Sequence, residues 1–439
     1  MGTTSGVNRR EVIGGGLMLA LLAMDRAHGE PGYPPALRPS PQTLTIEQAR
    51  VQLLPAPALA SELLSINGPA GDQALRLRAG SEDRVIFKNT LDHPVSVVAR
   101  GFRGDGFASS GETIAPMSER MFVVRPHRGG SCLLVPSPLE AQLSERGMAS
   151  LLIVEDREQT AADNDVGVLL KDFRLSPNGS IVPATGPRLG NALAVNGRLE
   201  RFDVPIRRHE RLRLRLANAS TVRILVLEMR GFVPRIVALD GAPCEVFEPA
   251  GNKIVLPPGG RVDLLVEINA RPDAPLAIST RLGPIDVDLI GLPFVGDHPL
   301  RQGLPEPFIA LPEVKAPRLD LAKALRVTVS PGGRHWLGEA QASALAAPLF
   351  SAALGRTIVL IVDNLRPAPA VLHCDSQHLR PLDGLDDGVK PWVLDTILLE
   401  PGERLLLAFV AERPGLHRLY WRDLAAPFRG FASSFSITA

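Results

Sequence analysis

The stretch that decides the fold lies near the C-terminus and reads Val393-Leu-Asp395-Thr396-Ile-Leu-Leu-Glu-Pro401-Gly402-Glu403-Arg404. Its apolar run ends at a Pro-Gly turn, and Arg404 then opens a second apolar run that continues to Phe409. Short apolar runs bounded by proline and glycine are typical of β-strands. The stretch therefore predicts two strands joined by a turn.

The same arrangement occurs three times along the chain. An alternating strand ends at an asparagine, and a turn well downstream leads to an arginine that opens another strand. The three pairs are Asn89 with Arg120, Asn218 with Arg261, and Asn364 with Arg404. A repeat of this length indicates tandem domains rather than a stacked array, and short strands between Pro/Gly turns favour Greek-key sandwiches. We therefore predict an all-β chain of three tandem β-sandwiches.

One strand of the second copy, Arg211-Leu-Arg-Leu-Arg-Leu216, alternates strictly between charged and apolar residues. Successive side chains of a strand point to opposite faces of the sheet. We therefore expect the leucines to face a core and the arginines to face solvent.

Length and charge narrow the class of protein. The 439 residues are too many for one ordinary core and suit about three domains. The formal net charge is +1, so no field of one sign indicates a nucleic acid or an anionic surface as partner. We expect no nucleic acid among the partners of this protein.

The N-terminus has the pattern of a targeting segment. Arg9 and Arg10 precede an apolar, glycine-rich run from residue 12 to residue 24, which is too short to span a membrane. A twin arginine in this position indicates a Tat signal peptide, here residues 1–29, and export in the folded state into the periplasm. The alternative is a chance arginine pair before an apolar anchor. No later segment is long and apolar enough to span a bilayer, so we expect no stable membrane span and a transient partner in the Tat translocase.

The chain has three cysteines, Cys132, Cys244 and Cys374, one in each predicted domain. Their spacing matches no metal-binding motif. An exported protein could form one disulfide bond from them, but their separation favours buried or free thiols.

Taken together, these segments resemble the three-domain bacterial multicopper oxidases. The resemblance rests on the C-terminal stretch from Val393 to Arg404. It rests also on the stretches Asn196-Gly197, Ile236-Val-Ala-Leu-Asp240-Gly241 and Pro258-Gly-Gly-Arg261-Val-Asp263. It implies three cupredoxin-like domains, at residues 30–160, 161–300 and 301–439.

The first two copper motifs of that family are altered in this chain. Val98-Ala99-Arg100-Gly101 stands where the family has His-Trp-His-Gly. Val135-Pro136-Ser137 stands where it has His-Pro-His. Paired histidines spaced one apart on a strand point to the same face, which a metal cluster needs. Both pairs are replaced here.

The third and fourth motifs are altered as well. Ala368-Pro369-Ala370-Val371-Leu372-His373 stands where the family has His-Pro-x-His-Leu-His, so His373 is kept. The family's last motif would place its ligands at the following positions: Tyr420, Trp421, Arg422, Ala426 and Phe431. Because these side chains lack the thiolate, imidazole and thioether donors of a blue-copper site, we expect neither copper nor another cofactor.

Two groups of residues remain as candidate sites. His373, Cys374 and His378, with His417 on a neighbouring strand, have side chains that could bind a single Zn or Cu ion; the alternative is a leftover histidine beside a polar loop. Arg100 and Arg422 should lie close together between domains one and three. They would form either a polar plug that joins the domains or an anion site in the former copper cavity.

The sequence therefore favours a copper-free, non-catalytic binding or scaffold protein of the multicopper oxidase superfamily. In kind it is similar to the Tat-exported members associated with cell division, with protein partners in the periplasm or envelope. The alternative is a metal-dependent oxidoreductase, either of the multicopper oxidase type or with a mononuclear site at His373, Cys374 and His378.

Overall fold

A computed structural model shows an all-β chain and confirms the predicted fold class of three tandem cupredoxin-like sandwiches. The structure describes residues 41–68, 74–107, 112–137, 140–156, 162–182, 189–271, 273–296, 298–304, 317–331, 336–338, 347–374, 377–382, 392–425 and 430–439. The predicted signal peptide at 1–29 and the position Ala426 lie outside this part.

The first sandwich is built from two five-stranded sheets and one short helix. Its elements are β1 (Gln42–Val51), β2 (Ser61–Ile66), β3 (Leu75–Arg78), β4 (Asp83–Asn89), β5 (Val95–Arg100), β6 (Gly104–Asp105), β7 (Glu112–Ile114), β8 (Ser118–Pro126), β9 (Gly130–Pro136), α1 (Ala141–Glu145) and β10 (Ser150–Glu155). The sheet orders are β2-β1-β4-β8-β6 and β3-β10-β9-β5-β7. Apolar side chains from both sheets, such as Phe87 and Leu134, form the core between them.

The second sandwich pairs a six-stranded sheet with a five-stranded sheet. Its elements are β11 (Asn164–Phe173), β12 (Ala192–Val195), β13 (Phe202–Asp203), β14 (Arg211–Asn218), β15 (Leu225–Arg230), β16 (Arg235–Leu239), β17 (Ala242–Phe247), a 3-10 helix (Ala250–Asn252), β18 (Lys253–Leu256), β19 (Arg261–Glu267), β20 (Ala277–Leu282) and β21 (Ile285–Gly291). The sheet orders are β12-β11-β14-β19-β16-β17 and β13-β21-β20-β15-β18. Leu214 and Leu227 belong to the core between these sheets.

The third sandwich pairs a four-stranded sheet with a six-stranded sheet. Its elements are β22 (Leu325–Val329), β23 (Leu337–Gly338), β24 (Ser351–Ala353), β25 (Thr357–Asp363), β26 (Ala370–His373), β27 (Arg380–Leu382), β28 (Thr396–Leu399), β29 (Arg404–Val410), β30 (Gly415–Asp423) and β31 (Gly430–Thr438). The orders are β22-β25-β29-β27 and β23-β31-β30-β26-β28, with β24 pairing β31. None of the helices among the described residues has the length and apolar character that crossing a bilayer requires.

The sequence repeat has a structural cause that is the same in all three sandwiches. The two strands of each copy pair antiparallel, as β4 with β8, β14 with β19 and β25 with β29. The asparagine at the end of the first strand is buried, and its side-chain amide donates hydrogen bonds to backbone carbonyls of the neighbouring loops. Its Oδ1 accepts a bond from the backbone N–H two residues later, which fixes a turn.

The prediction that the arginines of β14 face solvent is wrong. The leucines of this strand point into the core as expected, but Arg211, Arg213 and Arg215 are at most 2% exposed. This face of the sheet packs against β9 of the first sandwich, where Arg215 Nη1 lies 3.4 Å from Ser131 Oγ. Alternation along one strand predicts two different faces, but it carries no information about a neighbouring domain that covers the polar one.

The three cysteines are buried and none of them forms a disulfide bond with another, as the sequence favoured. Cys132, Cys244 and Cys374 belong to the cores of the first, second and third sandwich respectively. Burial raises the pKa of Cys132 and of Cys244 to about 12, so both remain protonated at neutral pH.

Candidate functional site

The altered copper positions form two groups, one inside the core of the third sandwich and one between the sandwiches, and strand alternation in the third sandwich separates them. β26 lies beside β30, with Leu372 opposite Trp421 and His373 opposite Tyr420. Leu372 and Trp421 point into the core of the third sandwich. His373 points the other way, toward the first two sandwiches, where it meets Arg100.

The group inside the core is filled with apolar side chains. Trp421 is 1% exposed, and Phe431, opposite it on β31, packs against the same core. Ala368 is buried nearby, and Arg366 lies 4.8 Å from the centre of the Phe431 ring. Neither indole, phenyl nor methyl offers a copper donor, so these three side chains do not fit a blue-copper centre.

Part of the second group lies where the first sandwich meets the second. Val98 on β5 is paired with Val135 on β9, and both belong to an apolar cluster with Ala217 and Ala219 of the second sandwich. Ser137 follows β9, and its backbone N–H donates to Ser96 O. Two valines that would be histidines in an oxidase thus contribute apolar contact between domains.

The remaining members of this group line a small cavity between the sandwiches. Arg100, Val135, His373 and Arg422 border it, and its volume is about 40 Å³, which leaves room for about one or two water molecules. The structure thus brings Arg100 and Arg422 to one cavity, as expected from the sequence. Val371 lies beside it, fully buried against Val222 of the second sandwich.

His373 is held as a neutral ring in this cavity. Arg100 Nη1 lies 3.3 Å from His373 Nε2, and a guanidinium can only donate, so Nε2 accepts. The ring proton therefore sits on Nδ1, which lies 3.3 Å from Thr396 Oγ1. Burial, followed by the charges of Arg100 and Arg422, lowers the pKa of His373 well below its usual range.

The side chains of this cavity do not fit a copper cluster either. The one retained imidazole uses its acceptor nitrogen for Arg100, and two buried guanidiniums replace ligands where cations would bind. Two cationic side chains at the positions of former ligands repel a cupric ion.

The residues of the possible mononuclear site point into different environments. His378 Nδ1 accepts a 3.4 Å hydrogen bond from Arg103 Nε and lines a different cavity from that of His373. Cys374 lies in the core of the third sandwich, and His417 stacks on Phe435 with 5.0 Å between ring centres. Among the described residues, no group of three His, Cys, Asp or Glu side chains is arranged to hold a metal ion.

A buried ion-pair network beside the cavity of Arg100 and His373 joins all three sandwiches. Arg261 of the second sandwich donates to both carboxylate oxygens of Asp395 in the third, at 2.9 and 2.6 Å. Its Nε donates to Ser131 O of the first sandwich at 3.1 Å. Asp240 Oδ2 accepts the backbone N–H groups of Asp395 and Thr396. One guanidinium thus contacts every domain.

The network shifts the ionisation of its two carboxylates in opposite directions. Burial and the neighbouring Asp395 raise the pKa of Asp240 to about 6, against the effect of Arg261. Burial also opposes ionisation of Asp395, but the charge and hydrogen bonds of Arg261 hold its pKa below the usual range. Asp395 is therefore the charged partner of Arg261.

The sequence contained Arg261 and Asp395 but did not indicate that they meet. Arg261 was the strand-opening arginine of the second copy, and Asp395 lay in the stretch that decides the fold. A repeat locates residues within one domain and gives no pairing between domains. A second buried network, Arg213 and Arg215 with Asp263, lies within the second sandwich and is joined to the first by Ser131 Oγ, which donates to Asp263.

The fold matches solved multicopper oxidases over almost its entire length. It superimposes on a multicopper oxidase from Pseudomonas thermotolerans with a TM-score of 0.76 and 23% identity, covering 90% of this chain and 98% of that one. For Lac15 from a marine microbial metagenome the TM-score is 0.75 with 25% identity, covering 90% and 100%. The chain therefore has the fold of the multicopper oxidases.

Sequence comparison of this multicopper oxidase-like chain points to a further group of proteins. It is 26% identical over 273 residues to the cell division protein FtsP of Aggregatibacter aphrophilus, covering 57% of this chain and 55% of that protein. It is 27% identical over 241 residues to FtsP of Sodalis glossinidius, covering 50% of each. The chain thus spans about half the length of the curated relatives it matches. No protein-family model matches it.

Proposed function

We propose that this chain is a copper-free, non-catalytic binding or scaffold protein of the bacterial periplasm that acts in cell division, with a protein of the envelope as its partner. The observation that carries the proposal is the contact between Arg100 and His373. A guanidinium occupies the acceptor nitrogen of the one retained copper ligand, at 3.3 Å, in a cavity of about 40 Å³.

The side chains at the altered copper positions stabilise the three-domain fold, which supports a function that depends on this fold and needs no copper. Val98, Val135 and Val371 join apolar clusters that span two domains, and Trp421 packs in a core. Arg100 and Arg422 act as the polar plug between domains rather than as an anion site, because the cavity is too small for more than a few atoms. Binding then takes place on the outer surface.

The comparison with known proteins supports the cellular role. The relatives matched over about half their length are named cell division proteins. The twin arginine Arg9-Arg10 supports export through the Tat pathway, in which case partners would be met in the periplasm.

Metal analysis tests the copper-free part of the proposal. The mature protein is purified, incubated with cuprous and cupric salts under reducing and oxidising conditions, and desalted. We expect copper and zinc well below one equivalent, no blue-copper absorbance and no oxidation of phenols. Stoichiometric copper with phenol turnover would establish the oxidase alternative. One equivalent of metal that is lost in His378→Ala would establish the mononuclear alternative.

Genetic complementation tests the cellular part. In the bacterium that encodes the protein, deletion is expected to produce a division defect under envelope stress, and the wild-type gene is expected to correct it. Replacing Arg9 and Arg10 by lysines should abolish correction by blocking export, whereas the His373→Ala protein should still correct the defect. Normal division of the deletion strain under stress would contradict the proposed role.

A further inference from the structure

A second, larger cavity lies between the first and third sandwiches, away from the former copper positions. Its volume is about 310 Å³, at the lower end of the range for sites that bind small molecules. Four guanidiniums border it, and we call it the arginine pocket after them: Arg103, Arg128, Arg380 and Arg413. The lining includes one described carboxylate, that of Glu412.

Three of the four cations of the arginine pocket, Arg128, Arg380 and Arg413, are not paired with described carboxylates. Arg413 donates to Gly104 O at 3.4 Å and contacts His127 Nδ1 at 3.3 Å, and neither of these partners is a carboxylate. Arg103 lies 3.8 Å from Asp395, whose oxygens are already bound by Arg261. For Arg128 and Arg380, the described part of the chain offers no carboxylate within ion-pair distance.

Two uncharged hydrogen-bond donors add to this set. Gln377 is 4% exposed, and its Nε2 is buried without a hydrogen-bond partner. His378 accepts from Arg103 through Nδ1, so its ring proton sits on Nε2, which also has no partner. Burial, followed by the charge of Arg103, lowers the pKa of His378 well below its usual range, so the ring stays neutral. Buried donors without acceptors are costly unless a ligand supplies acceptors.

We propose that the arginine pocket binds a small molecule or headgroup that carries phosphate or diphosphate. Arg103 is close to Asp395, and the other three guanidiniums stand against the one carboxylate of Glu412. Among the described residues this leaves a local excess of about two positive units, which suits a multiply charged oxyanion. Gln377 and His378 supply donors to its remaining oxygens. The lining comes from both sandwiches, with Arg128 from the first and Arg380 from the third, so the ligand would also hold these domains together.

Calorimetric titration of the mature protein with sodium diphosphate tests the proposal. We expect saturable binding at one site, a rise in the thermal unfolding midpoint, and weakening at high salt. Arg380→Gln and Arg128→Gln should each weaken binding about tenfold, the effect of losing one charge-assisted hydrogen bond. Arg356→Gln removes the same charge from an exposed position outside the pocket and should leave binding unchanged.

Vesicles that contain phosphatidylglycerol or only phosphatidylcholine distinguish a lipid headgroup from a free phosphorylated molecule. Binding to the anionic vesicles that is lost in Arg380→Gln identifies a headgroup, whereas binding of diphosphate alone identifies a free ligand. The proposal is overturned if neither probe binds saturably, or if Arg356→Gln weakens binding as much as Arg380→Gln. Circular dichroism of each variant establishes that it is folded, and Arg128 is exposed, so its substitution leaves the core intact.

Discussion

Arg261 and Asp395 form a two-point ion pair across the boundary between the second and third sandwiches, with both side chains fully buried. The guanidinium and the carboxylate are 134 residues apart in sequence. Their contact, together with the bond from Arg261 to Ser131 O, makes this pair a point at which all three domains are in contact.

We expect Asp395→Asn to lower the free energy of unfolding by about 3–5 kcal/mol, because it leaves the Arg261 charge buried without its partner. Equilibrium denaturation in urea measures the change. The control is Asp286→Asn, which removes an exposed ion pair with Arg281 and should cost about 0–1 kcal/mol. Equal losses in the two variants would contradict the role given to Asp395.

The asparagine shared by the three copies gives a second prediction. Asn218 is buried and makes hydrogen bonds to Arg223 O, Leu256 O and the N–H of Ser220. Asn218→Ala leaves these groups without partners, so we expect a loss of about 2–3 kcal/mol. Asn269→Ala, at an exposed position, should change stability by less than about 0.5 kcal/mol. A small effect at Asn218 would show that the turn holds without its amide.

Gly259 gives a prediction about the cavity of Arg100 and His373. A Cβ at this position would lie 2.6 Å from Arg100 Nη1 and 2.6 Å from His373 Cε1, and the backbone has φ +84°. Gly259→Ala should therefore be destabilising by about 2–4 kcal/mol, from backbone strain and displaced side chains.

Gly355→Ala is the matched control for Gly259, because it has φ +79° with no atom within 4 Å of the added methyl. It should show the backbone cost alone, about 1 kcal/mol. If thermal unfolding shows the same loss of stability in both variants, the close packing around Gly259 does not contribute to the stability of the fold.

The acid stability of the protein should depend on Asp165. Burial alone would raise the pKa of Asp165, but Arg215, which donates to both its oxygens at 2.7 Å, lowers it to about 2. A depressed carboxyl pKa stabilises the fold above about pH 4, and the contribution, about 2 kcal/mol, is lost as pH falls toward 2.

Asp165→Asn should accordingly be about 2 kcal/mol less stable than wild type at pH 7, with the difference shrinking below pH 4. Urea denaturation at a series of pH values measures it. Asp203→Asn, whose ion pair with Arg201 is about half exposed, is the control and should cost about 0–1 kcal/mol at pH 7. A constant difference for Asp165→Asn across the whole range would contradict the ionic origin of the effect.

The sequence predicted what is local to each sandwich. The positions of Asn89, Asn218 and Asn364 located the three copies because each copy makes the same turn. The alternation of β14 predicted that its leucines face a core, and Leu212, Leu214 and Leu216 do lie in the core of the second sandwich. These features depend on the geometry of strands and turns, which the pattern of residues in the sequence indicates directly.

What the sequence did not predict depends on contacts between domains. Arg213 and Arg215 were expected in solvent, and they are buried because the first sandwich covers that face. The arginine pocket was missed for the same reason, since Arg128 and Arg380 are far apart in the chain and each is unremarkable alone. A pattern of charges becomes a site only when the packing of two domains brings its members together.

Because each sandwich buries one thiol, the rate at which a reagent labels that thiol can report how often the sandwich opens. A thiol reagent reacts with the thiolate, which Cys132 and Cys244 do not form while they are buried. Removing two cysteines at a time leaves one reporter in the first, second or third core. Labelling rates of the three single-cysteine proteins would then show whether Arg261 makes the domains unfold together or whether one of them opens first.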